Sequence, residues 1–370
     1  MAERMLRVAH VFGQMNRGGA ELRTVEIAES FGGREVRSDF VVLTGLDGSV
    51  DARIRAAGGE VLKCPLDARF PFAFYRLVRR GRYDVVHSHV HFFSGVVLAI
   101  ARMAGVAGRV AHFRTSVVND KADTVARTVQ LATCRRLIQF CATDILAVGE
   151  GTMRDAWRSD WPSDPRCRVV YNGLPPARVR RAPVERPSTP TIINVASIQP
   201  RKNQVHLVRV LRQCIQRLPA ATLVLVGREV GDYGREVRRI AAELGIADRV
   251  RFAGEVDDPI SLVARSSLLV LPSIWEGLPG AALEACAIGV PVLASDLPGT
   301  RELAAHFPNM TVMPLTDSPQ AWADRAVELI QIPNGADPDA VAQRFANSPF
   351  TLARARESHY QVWSRGRASA

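Results

Sequence analysis

The stretch of residues 268–287, which reads LLVLPSIWEGLPGAALEACA, decides the fold class because it joins a buried strand to a helix through a short loop. The apolar run Leu268–Leu271 does not alternate with polar residues, which is typical of a strand covered on both faces of a parallel sheet. Pro279 suits the first turn of a helix, where its missing N–H costs nothing. We therefore expect the free amides around 278–281 at the carboxyl edge of a sheet, where open α/β sheets bind ligands and a helix N-terminus favours a phosphate group.

Apolar runs of this kind alternate with stretches of helical periodicity along the whole chain, which predicts doubly wound α/β domains. The boundary between two such domains is predicted at 174–190, where five prolines interrupt a stretch that resists both helix and strand. We predict an N-terminal Rossmann-like domain at 1–174, a linker at 175–190, a C-terminal Rossmann-like domain at 191–348, and a terminal helix at 350–366 that packs back on the first domain. Strands are predicted at 6–12, 39–44, 84–88, 108–113, 144–148 and 167–171 in the first half, and at 191–196, 222–226, 250–254, 267–271 and 291–295 in the second.

The composition of the 370 residues excludes several classes of protein. The chain is 47% hydrophobic with scattered prolines and glycines, so it is neither mainly disordered nor fibrous. Its longest apolar stretch, 94–108, is too short to span a bilayer and contains Arg102, and its start does not resemble a secretory signal. Six cysteines without C-x-x-C pairing are expected to be reduced core thiols of a cytoplasmic protein. The net charge of +11 favours an anionic partner, unless it only reflects genomic composition.

Two glutamates flank the expected phosphate site. Glu276 precedes the predicted helix at 279–287, and Glu284 lies within it. A carboxylate beside a phosphate site has an obvious use in accepting hydrogen bonds from sugar hydroxyls. The alternative is that Glu276 only caps the helix and that Glu284 lies on a solvated face, which its neighbours Ala, Leu and Cys make less expected.

This block resembles the retaining glycosyltransferases of family 4, which have the two-domain GT-B fold with Rossmann-like domains facing each other across a cleft. Glu276 and Glu284 have the E-x7-E spacing of that family, 287–295 resembles its A-x-G-x-P-V strand entry, and 298–302 resembles its P-G-x-x-E loop. The resemblance implies that Glu276 contacts hydroxyls of the donor sugar and that Glu284 holds the nucleotide ribose. The residues between them, which would contact the diphosphate, are Gly277, Leu278, Pro279, Gly280 and Ala281.

A second cluster, ASIQPRKN at 196–203, follows the predicted strand at 191–196 and resembles the family's G-R-L-x-P-x-K-[GN] loop, whose Arg and Lys bind the leaving diphosphate. Lys202 matches the family lysine, and a point charge on a flexible stem suits a diphosphate whose charge grows during bond cleavage. Ser197 stands where the family often has arginine, and Arg201 is a candidate to replace it. The alternative is that Lys202 is a solvated loop lysine.

The N-terminal half contributes Gly18 and Gly19 directly after the first strand, where glycines let the backbone approach a ligand closely. Taken alone, this is compatible with any tight β-to-α turn, but it resembles the family's G-G-x-E loop, which faces the donor sugar and diphosphate. His112 resembles the family histidine that reaches the donor sugar near its anomeric centre; the alternative is a satisfied loop histidine. The segment 169–173 resembles the family's [VI]-[IV]-x-N-G motif.

The triplet His87, His89 and His91 invites a metal hypothesis, because on a strand the three rings would share one face and imidazoles suit zinc or nickel. No carboxylate or thiol closes the set nearby. The segment 84–89 instead resembles the family's D-[VI]-[VI]-H-x-H strand, which binds no metal. We therefore predict no metal and no cofactor.

The segment 70–82 mixes aromatic residues with arginines. A basic amphipathic helix can lie on an anionic membrane surface, so peripheral attachment is one interpretation. The other is that Phe74, Leu77 and Val78 pack onto the sheet and the arginines are solvated.

The function that we predict is a metal-independent, retaining sugar transfer from a nucleoside diphosphate sugar, a UDP-sugar being favoured, with Lys202, Glu276 and His112 as catalytic residues. The acceptor would be a hydroxyl of a glycan, a lipid-linked or a small molecule, in polysaccharide, glycolipid or glycosylated-metabolite biosynthesis in the cytoplasm. A non-hydrolysing nucleotide-sugar epimerase of the same fold is the alternative. A basic nucleic-acid-binding protein is disfavoured because the sequence has no recognisable nucleic-acid-binding module, so no nucleic acid partner is expected.

Overall fold

The computed structural model describes residues 4–116, 124–179, 187–332 and 337–368. The chain divides into two compact units, the first formed by Met1–Pro175 with Pro349–Ala370 and the second by Pro176–Ser348. Each unit has its own parallel sheet with helices on both faces, as the alternation of apolar runs predicts.

The first unit contains a sheet of seven parallel strands. Its strands are β1 (Leu6–Phe12), β2 (Val36–Val42), β3 (Val61–Lys63), β4 (Val85–Ser88), β5 (Gly108–Phe113), β6 (Asp144–Ala147) and β7 (Cys167–Val169). They lie in the order β3-β2-β1-β4-β5-β6-β7, so the direction of winding reverses between β1 and β4. Loops that follow these two strands line the crevice where doubly wound sheets bind ligands. The helices that connect the strands are α1 (Gly19–Ser30), α2 (Asp51–Ala56), α3 (Phe70–Gly81), α4 (Ser94–Met103), α5 (Val125–Cys141) and α6 (Glu150–Ala156).

The second unit repeats this plan with six parallel strands. They are β8 (Thr191–Val195), β9 (Thr222–Val226), β10 (Val250–Gly254), β11 (Leu268–Leu271), β12 (Val292–Ser295) and β13 (Met310–Met313). The order β10-β9-β8-β11-β12-β13 places the reversal of winding between β8 and β11, which pair directly. The helices are α7 (Pro176–Val179), α8 (Gln204–Arg217), α9 (Tyr233–Glu243), α10 (Pro259–Ala264), α11 (Gly280–Ala287), α12 (Pro298–Ala304), α13 (Pro319–Gln331) and α14 (Pro338–Asn347).

The last helix, α15 (Leu352–Ala368), belongs to the first unit. Its Trp363 and Val362 are buried in one cluster with Leu6 and Val8 of β1. The segment that leads into this helix lies beside residue 174, since the Leu174 amide donates to the Phe350 carbonyl at 2.9 Å. Helix α15 therefore covers the same face of the seven-stranded sheet as α1.

Several boundaries differ from the sequence predictions. The expectation that the linker at 175–190 resists helix is wrong at Pro176–Val179, and its residues 180–186 lie outside the described part of the chain. Pro279 lies just before α11 and has an extended ψ of 111°. Helix α11 therefore begins at Gly280 and not at the predicted residue 279. The predicted packing of Phe74 and Val78 onto the sheet is confirmed, since both are buried.

Two further expectations concern cysteines and membrane spans. All six cysteines are buried and none is in a disulfide. Within the described ranges, no helix has the length and apolar character needed to cross a bilayer.

Candidate active site

Lys202 and Glu276 meet at the reversal point of the second sheet. Lys202 ends a 3-10 turn after β8, and Glu276 lies in the loop between β11 and α11. The Lys202 ammonium donates to Glu276 Oε1, and the Ser273 hydroxyl donates to the same oxygen at 2.8 Å. The two charged side chains are only 12% and 10% exposed, which excludes the prediction that Lys202 is a solvated loop lysine. The neighbouring positions of β8 and β11 bring these residues together from sites that are 74 positions apart.

The backbone around this ion pair is tightly packed. The Ile274 amide donates to the Arg201 carbonyl at 2.8 Å, which ties the β8 loop to the β11 loop. A Cβ added to Gly299 would lie 1.6 Å from the Gly277 carbonyl oxygen, so only glycine lets α12 approach this loop. The segments that follow three neighbouring strands, β8, β11 and β12, therefore contact one another around the ion pair.

Glu284 lies in the second turn of α11 and is paired. Arg178 of α7 donates from Nη1 to Glu284 Oε1 at 3.0 Å, and the Glu284 side chain is 9% exposed. The alternative of a solvated helix residue is therefore excluded. Sequence reasoning missed Arg178, since it lies in the proline-rich stretch 106 residues before its partner and has no motif around it.

Ser197 and Arg201 occupy the same loop as Lys202 and have different surroundings. The Ser197 hydroxyl accepts a hydrogen bond from the Gln199 amide group, and its carbonyl accepts one from Gln204 Nε2 at 3.1 Å. The Arg201 guanidinium has no carboxylate partner among the residues that the structure describes. Arg201 is therefore available for an anion, whereas Ser197 supports the shape of the loop.

Gly280 and Ala281 provide the first free amides of α11, and a Cβ at Gly280 would meet no atom within 4 Å. The space in front of this helix end is open, as a bound anion would need. Leu278 is buried beneath it, and Gly277 and Pro279 connect Glu276 to the helix.

Gly18 and Gly19 lie at the start of α1 in the first unit. A Cβ at Gly19 would meet no atom within 4 Å, whereas a Cβ at Gly18 would lie 2.1 Å from a carboxylate oxygen of Glu21. Glu21 thus folds back over the loop, and burial raises the pKa of its carboxyl group. Glu21, the fourth position of the G-G-x-E pattern, is therefore part of the local structure.

His112 belongs to a group of five buried or half-buried histidines, which we call the histidine cluster. Its members are His10 on β1, His87 and His89 at the end of β4, His112 on β5 and His359 on α15. Burial lowers the pKa of all five imidazoles, and the nearby Arg114 charge lowers each further. The cluster is therefore neutral at physiological pH, with the pKa of His359 lowered to about 4.

Arg114 follows β5 and is a second residue that sequence reasoning missed. It donates to His89 Nδ1 at 3.3 Å, to Asn172 Oδ1 at 2.8 Å and to Thr24 Oγ1 at 2.9 Å. Burial lowers the pKa of its guanidinium to about 9, and Glu21 opposes that shift. Its position directly after β5, two residues beyond His112, was the available signal.

The metal hypothesis for the triplet His87, His89 and His91 is wrong in its geometry. Strand β4 ends at Ser88, and His91 begins a 3-10 turn with φ 50°, so its ring lies against Phe113 instead. Within the described residues, the group with metal-ligand spacing is His10, His87 and His89, whose ring nitrogens lie within 4.8 Å of one another. A divalent cation there would adjoin the buried Arg114 guanidinium that is bonded to His89, so this group suits a cation poorly.

Family models of glycosyltransferases match both halves of the chain. The family model described as glycosyl transferase 4-like domain matches residues 18–173, and the model described as glycosyl transferases group 1 matches residues 177–344. The capsular polysaccharide biosynthesis glycosyltransferase CapH of Staphylococcus aureus is 29% identical over 329 residues, which cover 88% of this chain and 91% of CapH. A GDP-mannose-dependent phosphatidylinositol monomannoside mannosyltransferase of Mycobacterium tuberculosis is 29% identical over 286 residues, covering 71% of this chain and 72% of that protein.

Among solved structures, HepE of Anabaena in complex with UDP has a TM-score of 0.77 at 20% identity and covers 98% of this chain and 100% of its own. The two doubly wound units therefore constitute the GT-B fold of nucleotide-sugar-dependent glycosyltransferases. The two halves of the chain match the two family models in order, and together with the relatives and the fold they show a glycosyltransferase of the GT4 type.

Proposed function

We propose that this chain transfers a sugar, with retention of anomeric configuration, from a UDP-sugar to a hydroxyl group of a glycan or lipid-linked acceptor in the assembly of a cell-surface polysaccharide. The observation that carries the proposal is the nearly buried Lys202–Glu276 pair beside the open N-terminus of α11. CapH supports the polysaccharide context by its name, and HepE supports UDP by its bound ligand. The GDP-mannose-dependent relative makes GDP the competing nucleotide.

In the proposed reaction, the C1–O bond to the diphosphate breaks while the acceptor oxygen bonds to C1 on the same face. The departing diphosphate takes the acceptor proton, so no side chain is the nucleophile. Lys202 and the amides of Gly280 and Ala281 stabilise the growing charge of the diphosphate. Glu276 accepts hydrogen bonds from sugar hydroxyls and, with Ser273, holds the lysine in position before the donor binds.

The remaining donor contacts are proposals of the same kind. Glu284 binds the ribose hydroxyls, with Arg178 orienting its carboxylate. Arg201 supplies the second positive charge that the family loop has at the position of Ser197. Gly18, Gly19 and His112 are proposed to contact the donor sugar, and no metal or other cofactor is needed.

A thermal-shift panel of UDP-, GDP- and ADP-sugars tests the donor. At about 100 times its dissociation constant, a ligand adds roughly 2.7 kcal/mol to the free energy of unfolding, so the true donor stands out from the others. The anomeric configuration of the product, measured by NMR on the transferred sugar, tests retention. Isomerisation of the donor without any acceptor would instead indicate an epimerase.

Peripheral membrane contact is a second part of the proposal and rests on α3. Arg69, Phe72, Arg76 and Arg80 recur at spacings of three and four residues, so they share one side of the helix. This side lines a surface groove of about 740 Å³ beside the edge strand β3. The three arginines have no carboxylate partner in the described part of the chain, and Phe72 is 66% exposed with Arg76 over its ring. Exposed apolar area surrounded by unpaired positive charge fits an anionic bilayer surface.

Co-sedimentation with phosphatidylglycerol vesicles tests this contact. Phe72→Ser with Arg76→Gln should weaken binding by about ten-fold, since each arginine near the surface contributes about 1 kcal/mol and the aromatic ring adds to it. Phe140→Ser is the matched control, because Phe140 is 72% exposed on α5 of the same unit. Equal loss in both variants, or equal binding to neutral vesicles, would contradict the role of α3.

A further inference from the structure

A chain of directed hydrogen bonds runs from α15 to His112. Trp363 Nε1 lies 3.1 Å from His87 Nδ1, and His87 Nε2 lies 3.0 Å from His112 Nδ1. All three side chains are almost completely buried. The contacts connect a helix at the end of the chain to two strands of the sheet, with 276 positions separating Trp363 from His87.

The direction of this chain follows from the chemistry of its first member. An indole N–H only donates, so His87 Nδ1 must accept and carries no proton. A neutral His87 then bears its proton on Nε2 and donates it to His112 Nδ1. His112, in turn, must bear its own proton on Nε2.

The imidazoles remain neutral because of where they lie. Burial lowers the pKa of His87 and of His112 well below the ordinary value, and the Arg114 charge acts in the same direction on both. Each ring therefore has one donor and one acceptor nitrogen, and the assignment along the chain is unique.

The last ring of this hydrogen-bond chain, His112, indicates a ligand. His112 Nε2 is buried and has no hydrogen-bond partner among the described residues. A buried donor left unpaired costs stability, so its retention favours a partner that arrives with a ligand. A parallel chain from Arg114 through His89 to His10 also ends in an unpaired Nε2, but its first contact is longer, at 3.3 Å.

We propose that Trp363 and His87 are positioning residues that fix His112 in the Nε2–H tautomer, so that His112 donates a hydrogen bond to an oxygen of the donor sugar and does not act as a base. The identity of the ligand oxygen rests on the proposed function, whereas the tautomer does not. The role suits the proposed chemistry, in which the diphosphate takes the acceptor proton and a base beside the sugar would compete for it.

The tautomer is tested first, in the ligand-free chain, by long-range ¹H–¹⁵N correlation spectra of protein labelled with ¹⁵N-histidine. The spectra of His112→Gln and His87→Gln assign the two rings. We expect a protonated Nε2 and an unprotonated Nδ1 for both in the unmodified chain. A mixture of tautomers or an Nδ1–H form at His112 would overturn the proposal, whatever reaction the chain catalyses.

Two variants at His87 keep the test sharp if Trp363→Phe fails to fold. His87→Gln retains an acceptor for the indole and a donor for His112, so the His112 tautomer should persist. His87→Leu removes both groups, and the His112 signals should become those of a tautomer mixture. An unchanged His112 spectrum in His87→Leu would show that the hydrogen bonds from Trp363 through His87 do not set the tautomer of His112.

The consequence for turnover is tested by a double-mutant cycle. Trp363→Phe should lower kcat/KM by about two- to ten-fold, the effect of losing one neutral hydrogen bond. In a His112→Gln background, the glutamine side-chain amide donates whether or not Trp363 is present. Trp363→Phe should therefore have no further effect there. A loss of the same size in both backgrounds would indicate a merely structural role for Trp363.

Trp322→Phe is the matched control, since Trp322 is also fully buried and its Nε1 donates a hydrogen bond to the Pro314 carbonyl at 3.0 Å, in the second unit. Its kcat/KM should stay within about two-fold of the unmodified chain at temperatures where both variants are folded. If no nucleotide sugar is turned over, the proposed function fails, while the spectra still decide the tautomer.

Discussion

The reversal points of the two sheets hold side chains of opposite character. In the second unit, Lys202–Glu276 and Arg178–Glu284 are charged pairs whose charges compensate each other. In the first unit, the histidine cluster is kept neutral by burial, and hydrogen bonds order its rings. A leaving diphosphate needs fixed positive charge, whereas a sugar hydroxyl needs an oriented donor. We infer that the second unit supplies the charge and the first unit supplies the orientation.

Replacing Lys202 tests this division where the effect should be largest. Lys202→Ala should lower kcat by about 100- to 1,000-fold, the usual cost of removing one group that stabilises developing charge. The dissociation constant of the donor should change much less, because the charge matters most when the bond breaks. Steady-state kinetics combined with calorimetry on the donor separates the two quantities.

Lys63→Ala removes the same charge from the edge strand of the first unit, where the Lys63 side chain is 47% exposed and paired with Asp47. Its kcat should stay within about two-fold. A loss confined to KM in Lys202→Ala would show that the lysine contacts the donor only in the ground state.

The two glutamates sharpen the comparison within the second unit. Glu284→Ala should weaken the donor and the free nucleoside diphosphate by similar factors of about ten to a hundred, because both ligands have the ribose and a charged hydrogen bond is worth about 1.5–3 kcal/mol. Glu276→Ala should weaken the donor by a similar factor without weakening the nucleoside diphosphate, since Lys202 loses a competing carboxylate. Calorimetry on both variants with both ligands makes the comparison.

Glu328→Ala is a control for both variants, since Glu328 lies on the surface of the same unit and, within the described ranges, forms an ion pair only with Arg325 at 2.9 Å, one helical turn earlier. Equal weakening of free nucleotide by Glu276→Ala and by Glu284→Ala would overturn the assignment of sugar and ribose to different glutamates.

Most of the second unit could be predicted from sequence because its signals are local, although strand β13 (Met310–Met313) was not among the predicted strands. Strands β9 and β10 have the predicted bounds, and Lys202 and Glu276 follow strands on either side of the reversal point, so motif position alone placed them together. The Arg178–Glu284 pair could not be predicted, because Arg178 lies in a stretch without periodicity.

The first unit was less predictable because its site depends on distant contacts. The hydrogen bond from Trp363 to His87 joins residues that are 276 positions apart, and neither residue has a motif that indicates the other. Strand β2 begins at Val36 rather than at the predicted residue 39, because residues 36–38 pair in register with residues 6–8 of β1. Arg37 and Ser38 interrupt the apolar pattern on which the prediction relied, so the local sequence does not indicate this pairing.

Lowering the pH should destabilise the first unit more than the second. The histidines of the cluster are neutral in the folded chain because burial lowers their pKa, whereas in the unfolded chain they take up protons below about pH 6.5. The unfolded state then binds more protons, so the free energy of unfolding falls as pH falls. The decrease should begin near pH 6.5 and continue until the folded rings protonate, which for His359 occurs at about pH 4.

Hydrogen exchange at pH 7.5, 6 and 5, corrected for intrinsic rates, measures this effect in each unit. Protection should decrease more in the seven-stranded sheet than in the six-stranded one. His359→Gln should make the decrease shallower in the seven-stranded sheet. Parallel loss of protection in both sheets would show that the histidine cluster does not control acid stability.

The smallest effect is expected from removing divalent ions. In the proposed reaction, the positive charge facing the diphosphate comes from Lys202, Arg201 and the amides of Gly280 and Ala281, so a metal ion has no necessary task. The D-x-D pattern of the chain, Asp337–Asp339, is used locally, since the Asp337 carboxylate accepts the Asp339 amide at 3.0 Å and caps α14. Turnover in excess EDTA should therefore stay within about two-fold of turnover in magnesium, a difference that screening of charges by the ion alone can account for. Complete loss in EDTA with recovery in manganese would mean that an ion neutralises the charge on the diphosphate. The contrast between the charged pairs of the second unit and the neutral histidine cluster of the first would then no longer explain catalysis.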